Sequence, residues 1–329
     1  MSRRLYSLDF LKFIAALMIT NSHFQPLYKD ISPSLATFGV HGNALFFFVS
    51  GYLLMMGFMR GAGLPGFVDW YKKRMRRIWP SVFIWTILVA ATCGTALTVG
   101  KLVLFEGYWF LQAIAISYIV YFLIGKCEYS IGSNILPYVF GLSLLLTVLY
   151  FFLMPKAEGS PFHTGLHFVC HFSVMVMGGI CCMTRDTLSL RKCWIDVIWM
   201  LLSFILYFLI LKIGKGQDSI LYYVQIIALI PLHTFVYYLY KVSSYPWCDI
   251  CFRMKFLGRT ISAVATLTLE IYIVQFTFIT DSLNSLFPLN IIIVFGVICM
   301  AAYALKVLTS LFLAVMSTEH LAWREIVKI

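Results

Sequence analysis

Apolar side chains run along this chain in blocks of roughly twenty residues, and polar residues gather in the short stretches between them. The blocks fall near 8–28, 38–59, 79–98, 108–124, 135–153, 166–183, 194–211, 219–240, 261–279 and 290–314. A helix needs about 20 apolar residues to cross the hydrocarbon of a bilayer. Backbone polar groups at that depth must be satisfied internally, which helices do. The pattern predicts an all-α fold: a polytopic transmembrane helical bundle of about ten spans, forming a single integral membrane domain over residues 1–329.

Charge gives the orientation. Of the 25 Lys and Arg, 18 fall on the side of the N-terminus and five in the opposite loops, so both termini are expected in the cytoplasm by the positive-inside rule. Composition agrees, since 61% of the 329 residues are hydrophobic and 12% charged, where soluble domains average about 25% charged. The net charge of +11 does not point to nucleic acid, because topology already accounts for the basic loops. Cys93, Cys170, Cys181, Cys182 and Cys299 lie in apolar runs as small hydrophobes. Cys248 and Cys251 form a C-x-x-C without a second ligand pair, and His167 and His171 lack a third ligand, so no metal is expected. The run from Leu8 to Phe24 carries Lys12, Asn21 and His23, and no small-x-small site follows it. An uncleaved first span is expected.

Polar residues inside the apolar blocks narrow the function, because an ionisable group at mid-bilayer is expensive and usually serves a site. Lys12 and His23 are eleven residues apart, which brings them to within about 20° on one helix face and about 16 Å along it. Lys12 then lies near the cytoplasmic mouth and His23 beyond the midplane. His23 can take a proton from a hydroxyl or rest as a buried, carbonyl-bonded imidazole. Asn21 points elsewhere on the helix. In the second block, Ser50 and Gly51 permit close helix approach, with catalysis the alternative for Ser50. His41 and Asn43 fall near its outer entrance. The stretch at 60–78 carries six basic residues, Arg74 and Arg77 among them, and suits anionic lipid headgroups or a phosphorylated cofactor. Glu270, in the ninth block with Gln275, needs a partner: His23, Lys12 and Lys306 are all open.

These residues, taken together, resemble the membrane-bound acyltransferase 3 family. The resemblance rests on a basic residue followed after ten residues by His in the first span, and on Phe46-Phe47-Phe48-Val49-Ser50-Gly51-Tyr52. It continues through Arg74-x-x-Arg77 followed by Ile-x-Pro80, Trp109-Phe110-Leu111, and Leu269-Glu270-Ile271-Tyr272. It implies an acyltransferase of the inner (plasma) membrane that uses cytoplasmic acyl-coenzyme A and acylates envelope sugars. Carried over, the essential His is His23 and its basic partner Lys12, while Arg74 and Arg77 hold the donor. Three positions depart from the family pattern: Lys12 stands where Arg is usual, Ala44 where an acid is common, and Gln275 where His is common. Glu270 is the compensating acid.

The expected reaction is transfer of an acetyl group from acetyl-coenzyme A to a hydroxyl of an envelope polysaccharide or lipid-linked sugar. His23, Glu270 and Ser50 are the catalytic candidates; Lys12, Arg74, Arg77 and Arg259 the donor-binding ones. Asn21, His41, Asn43, Trp109, Tyr272 and Gln275 are assigned to the acceptor. No soluble esterase-like domain is expected. The alternative is a proton-coupled transporter or flippase of a lipid-linked sugar, with His23 and Glu270 as its relay. The basic 60–78 stretch and the lack of internal repeats favour the enzyme.

Overall fold

The computed structural model describes residues 5–60, 66–131, 134–154, 166–190, 192–215 and 220–316, and no strand occurs among them. Thirteen α-helices are described: α1 (Tyr6–Ser22), α2 (Gly39–Arg60), α3 (Phe67–Cys93), α4 (Val99–Val103), α5 (Trp109–Ile131), α6 (Ile135–Leu153), α7 (Leu166–Met183), α8 (Cys193–Ile213), α9 (Leu229–Ser243), α10 (Pro246–Arg253), α11 (Lys255–Thr266), α12 (Thr268–Phe278) and α13 (Leu289–Met316). Seven helical stretches are long and apolar enough to cross a membrane, and α11 with α12 make an eighth if the bent pair is one span. This is a polytopic helical membrane fold. Among the described residues each of the ten apolar blocks overlaps a helix, but α1, 17 residues long, and α3, charged in its first turns, are not among the seven, so seven or eight spans stand against the ten expected.

Three boundaries differ from the sequence expectation. The basic stretch at 60–78 is not all loop: α3 starts at Phe67, so Arg74 and Arg77 sit one turn apart on a continuous helix. Nothing between Gly66 and Pro80 breaks a helix, and charged residues are tolerated on one once it leaves the hydrocarbon. The first helix stops at Ser22 rather than near 28, because the chain turns at His23 and Phe24 ahead of Pro26. The ninth block is broken at Leu267, and α11 and α12 meet at a 79° bend.

Contacts group the chain into two compact units. Unit one comprises Met1–Leu11, Asn43–Leu64 and Ile119–Met254; unit two comprises Lys12–Gly42, Pro65–Tyr118 and Lys255–Ile329. Lipid tails are as apolar as leucine, so association within each unit rests on close packing and polar contacts. In unit one, α2 and α7 touch through glycine on both sides. A Cβ on Gly51 would land on the Met175 carbonyl, and one on Gly178 would land on the Phe48 carbonyl. Tyr121 Oη then donates to the Gly51 carbonyl at 3.0 Å. This crossing explains the Ser50-Gly51 pair through Gly51. In unit two, α1 and α2 approach in the same way, with Gly42 against Ile19 and the Ala15 carbonyl.

Candidate active site

His23 follows the last residue of α1. Its backbone N–H donates to the Thr20 carbonyl at 3.1 Å, and that of Phe24 to the Asn21 carbonyl at 3.0 Å, so the helix closes in a tight turn. The imidazole is half-buried, and its ring packs edge-on against Phe276 of α12, with centroids 4.6 Å apart.

The segment after His23 is fixed by three asparagines. Asn21 Nδ2 donates to the carbonyls of Leu35 (2.9 Å) and Thr37 (3.2 Å), and Asn21 Oδ1 accepts from Tyr28 Oη at 2.7 Å. Asn284 Nδ2 donates to the Pro26 carbonyl at 3.0 Å and to Asp30 Oδ2 at 3.1 Å. Asn290, fully buried, donates to the Leu27 carbonyl at 3.3 Å. Asn21 thus commits two N–H bonds and its oxygen to this segment. Tyr28, Asn284 and Asn290 have no distinctive sequence signal beyond polar residues at the ends of apolar blocks.

Phe276 opens a line of aromatic side chains. Tyr272 lies 6.3 Å from it, Phe110 and Tyr108 lie 5.4 and 6.1 Å from Tyr272, and Trp109 meets Phe110 edge-on at 6.1 Å. Tyr108 Oη also donates to the Ile273 carbonyl at 3.4 Å. The turn into α5 that delivers Tyr108 and Trp109 passes through Gly107 at φ +89°, a conformation open to glycine alone at little strain.

Glu270 lies in the first turn of α12, created by the break at Leu267. There the partial positive charge of a helix N-terminus favours a carboxylate. Its Oε1 is 3.2 Å from Lys306 Nζ of α13 and accepts from Ser81 Oγ at 3.5 Å; Ser81 in turn shares a 3.2 Å bond with Thr309. Of the partners the sequence left open, Lys306 makes the ion pair.

The basic residues divide by environment. Arg74 is half-buried, its guanidinium 4.7 Å from the centre of the Trp70 ring, and Trp70 is itself buried edge-on against Tyr118. Desolvation holds its pKa below the ordinary arginine value, and the like charge of Arg77 acts in the same direction. Arg77 and Arg259 are exposed, and Lys12 is half-buried. A desolvated guanidinium anchored on an indole, with a second guanidinium one turn on, suits a phosphate group.

Unit two therefore contains Lys12, Asn21, His23, His41, Arg74, Arg77, Trp109, Arg259, Glu270, Tyr272 and Gln275, while Asn43 and Ser50 belong to unit one. His167 and His171 are in unit one as well, with His171 Nδ1 2.6 Å from the His167 carbonyl. Among the described residues, no group of three or more His, Cys, Asp or Glu could hold a metal ion. Comparison with protein families finds that the model of the acyltransferase 3 family, described as an acyltransferase domain, matches residues 5–311.

The chain belongs to the acyltransferase 3 family. The match covers both units, so this is a multi-pass membrane protein with an acyltransferase domain along nearly its whole length. Comparisons with curated proteins and with solved structures find no match. Family membership supports acyl transfer as the activity.

Proposed function

We propose that this acyltransferase moves an acetyl group from cytoplasmic acetyl-coenzyme A to a hydroxyl of an envelope polysaccharide or lipid-linked sugar, with about ten spans in the plasma (inner) membrane and both termini in the cytoplasm. The observation that carries the reading is His23: a half-buried imidazole at the end of α1, held against Phe276 and followed by a segment clamped by three asparagines. A base for acyl transfer needs that fixed geometry.

The donor is a substrate, and its phosphates suit Arg74 and Arg77, with Lys12 and Arg259 as further cations on the same unit. Lys12 on α1 and His23 just past its end belong to the same unit, and in this reading the thioester reaches from the basic residues to the imidazole. His23 takes the acceptor proton as the hydroxyl attacks the thioester, or carries the acetyl group between two half-reactions. The line Trp109–Phe110–Tyr272–Phe276, together with His41, forms the acceptor side, where aromatic faces stack on a sugar ring. Asn21 and Glu270 act indirectly in this reading, Asn21 by holding the segment after His23 and Glu270 by holding α12 to α13. Asn43 and Ser50 are given no step. A proton-coupled carrier would need Glu270 as a relay, and its pairing with Lys306 favours the enzyme.

The test is mass spectrometry of envelope glycans from cells with and without the gene, with His23→Ala restored in place of the wild type. Acetyl groups lost with the gene and not restored by the variant support the reading. Unchanged glycan acetylation on deletion would refute it.

A further inference from the structure

Polar side chains on membrane helices normally find a partner, and several in this chain, exposed and buried, do so. Thr92, Thr147, Thr184, Thr234, Thr260 and Thr266 each donate to the carbonyl four residues back, the usual outlet for a helical threonine. The amides of Gln112 and Gln225 donate to the carbonyls of Leu104 and Gly214. Two residues of unit two break the pattern. Thr20, 1% exposed, has a hydroxyl without a partner among the described residues, and Gln275, 0% exposed, has neither its amide nitrogen nor its amide oxygen bonded there.

Both are close in sequence to the imidazole or to the ring it packs on. Thr20 precedes His23 by one turn of α1, and its carbonyl accepts the His23 N–H. Gln275 precedes Phe276, the residue on which the His23 ring packs. An unpaired buried hydroxyl and an unpaired buried amide each destabilise the fold, and a catalytic role is one reason a structure keeps such groups. Glu270 Oε2 of this unit also lacks a partner among the described residues, but it belongs to a carboxylate whose other oxygen is ion-paired; when ionised it accepts only. Thr20 and Gln275 can donate.

We propose that Thr20 and Gln275 form the oxyanion site of the transfer, donating O–H and N–H bonds to the carbonyl oxygen of the bound thioester. The inference rests on the acetyl-transfer reading above. In the direct route, the acceptor oxygen bonds to the carbonyl carbon while His23 takes its proton, and the carbonyl π pair moves onto the oxygen. Thr20 and Gln275 hold that oxygen as it becomes an anion. Collapse restores the carbonyl, breaks the C–S bond, and the sulfur leaves with the proton from His23. The products are an O-acetyl ester and free coenzyme A. If the imidazole carries the acetyl group instead, the same oxygen is gripped in both half-reactions.

The near-isosteric variants Gln275→Met and Thr20→Val, purified in lipid nanodiscs, test the site with acetyl-coenzyme A and deacetylated envelope glycan. Removing one oxyanion donor lowers kcat by about 10²–10³-fold, with KM for acetyl-coenzyme A little changed. The melting temperature should hold or rise, because an unpaired buried group has gone. A residue needed only for packing would lose stability along with activity. Wild-type kcat in both variants, or activity lost only in step with a fallen melting temperature, overturns the oxyanion site alone. A wild-type protein that releases no coenzyme A under these conditions overturns the acetyl-transfer reading, and this inference with it.

Discussion

Replacing Lys306 with methionine isolates what holds α12 in place. Glu270 is 1% exposed, and its Oε1 meets Lys306 Nζ at 3.2 Å. With an effective dielectric of about 20, two unit charges at that distance attract by about 5 kcal/mol. Solvent screens part of this, since the Lys306 side chain is 33% exposed, and the α12 N-terminus supplies roughly 0.3–1 kcal/mol of its own to the carboxylate. Removing one partner of a buried pair typically destabilises by about 3–5 kcal/mol, so Lys306→Met should lose about 3 kcal/mol. At roughly 2–4 °C per kcal/mol for a large domain, that is a fall of about 6–12 °C in the melting temperature in detergent. Adding Glu270→Gln removes the stranded charge, and the double variant should recover at least half of the loss. Activity should follow, because Glu270 acts through the placement of α12. A Lys306→Met protein as stable as wild type would refute the pairing. A double variant with restored stability but no activity would assign Glu270 a direct part in the chemistry.

Asn21→Ala removes three hydrogen bonds from the segment behind His23. At about 1 kcal/mol each it should lose roughly 2–3 kcal/mol in a denaturant titration, with a fall in kcat that exceeds any rise in KM; equal stability would contradict the clamp. Gly51→Ala and Gly178→Ala drive a Cβ into a facing backbone carbonyl and should destabilise by about 1–3 kcal/mol or more. Gly141→Ala and Gly296→Ala, where a Cβ meets nothing within 4 Å, should be neutral or gain up to about 1 kcal/mol; equal losses at all four sites would refute the crossing. Arg74→Lys keeps the charge but gives up the planar fork over Trp70. It should raise KM for acetyl-coenzyme A by about tenfold with kcat nearly unchanged, and unchanged KM would remove Arg74 from the donor site.

The helical, membrane-spanning architecture was legible because bilayer thickness sets a length scale that any apolar run of about twenty residues reports. The end of α1 was less legible, because His23 and Phe24 are ordinary helix residues and only Pro26 marks the turn. The bend at Leu267 leaves no trace in Thr266-Leu267-Thr268, which contains neither Gly nor Pro. The depth and partner of Glu270 depend on that bend, so the sequence could offer Lys306 only as one of three choices. The start of α3 was hidden by charge: the basic stretch reads as loop because it cannot lie in hydrocarbon, yet a helix can extend past the membrane. Lys12 and His23 stood out through their spacing and chemistry, and Arg74 and Arg77 through the family resemblance. Thr20 did not, since a threonine inside an apolar helix becomes informative only when its hydroxyl has nowhere to go.

The most direct measurement is coenzyme A release by the purified protein in nanodiscs with envelope glycan as acceptor, comparing wild type with His23→Gln. The account predicts release matched by glycan acetylation in the wild type. In the variant, turnover should fall by about 10²–10⁴-fold, with acetyl-coenzyme A binding and melting temperature unchanged. Turnover at the wild-type rate in His23→Gln would contradict it.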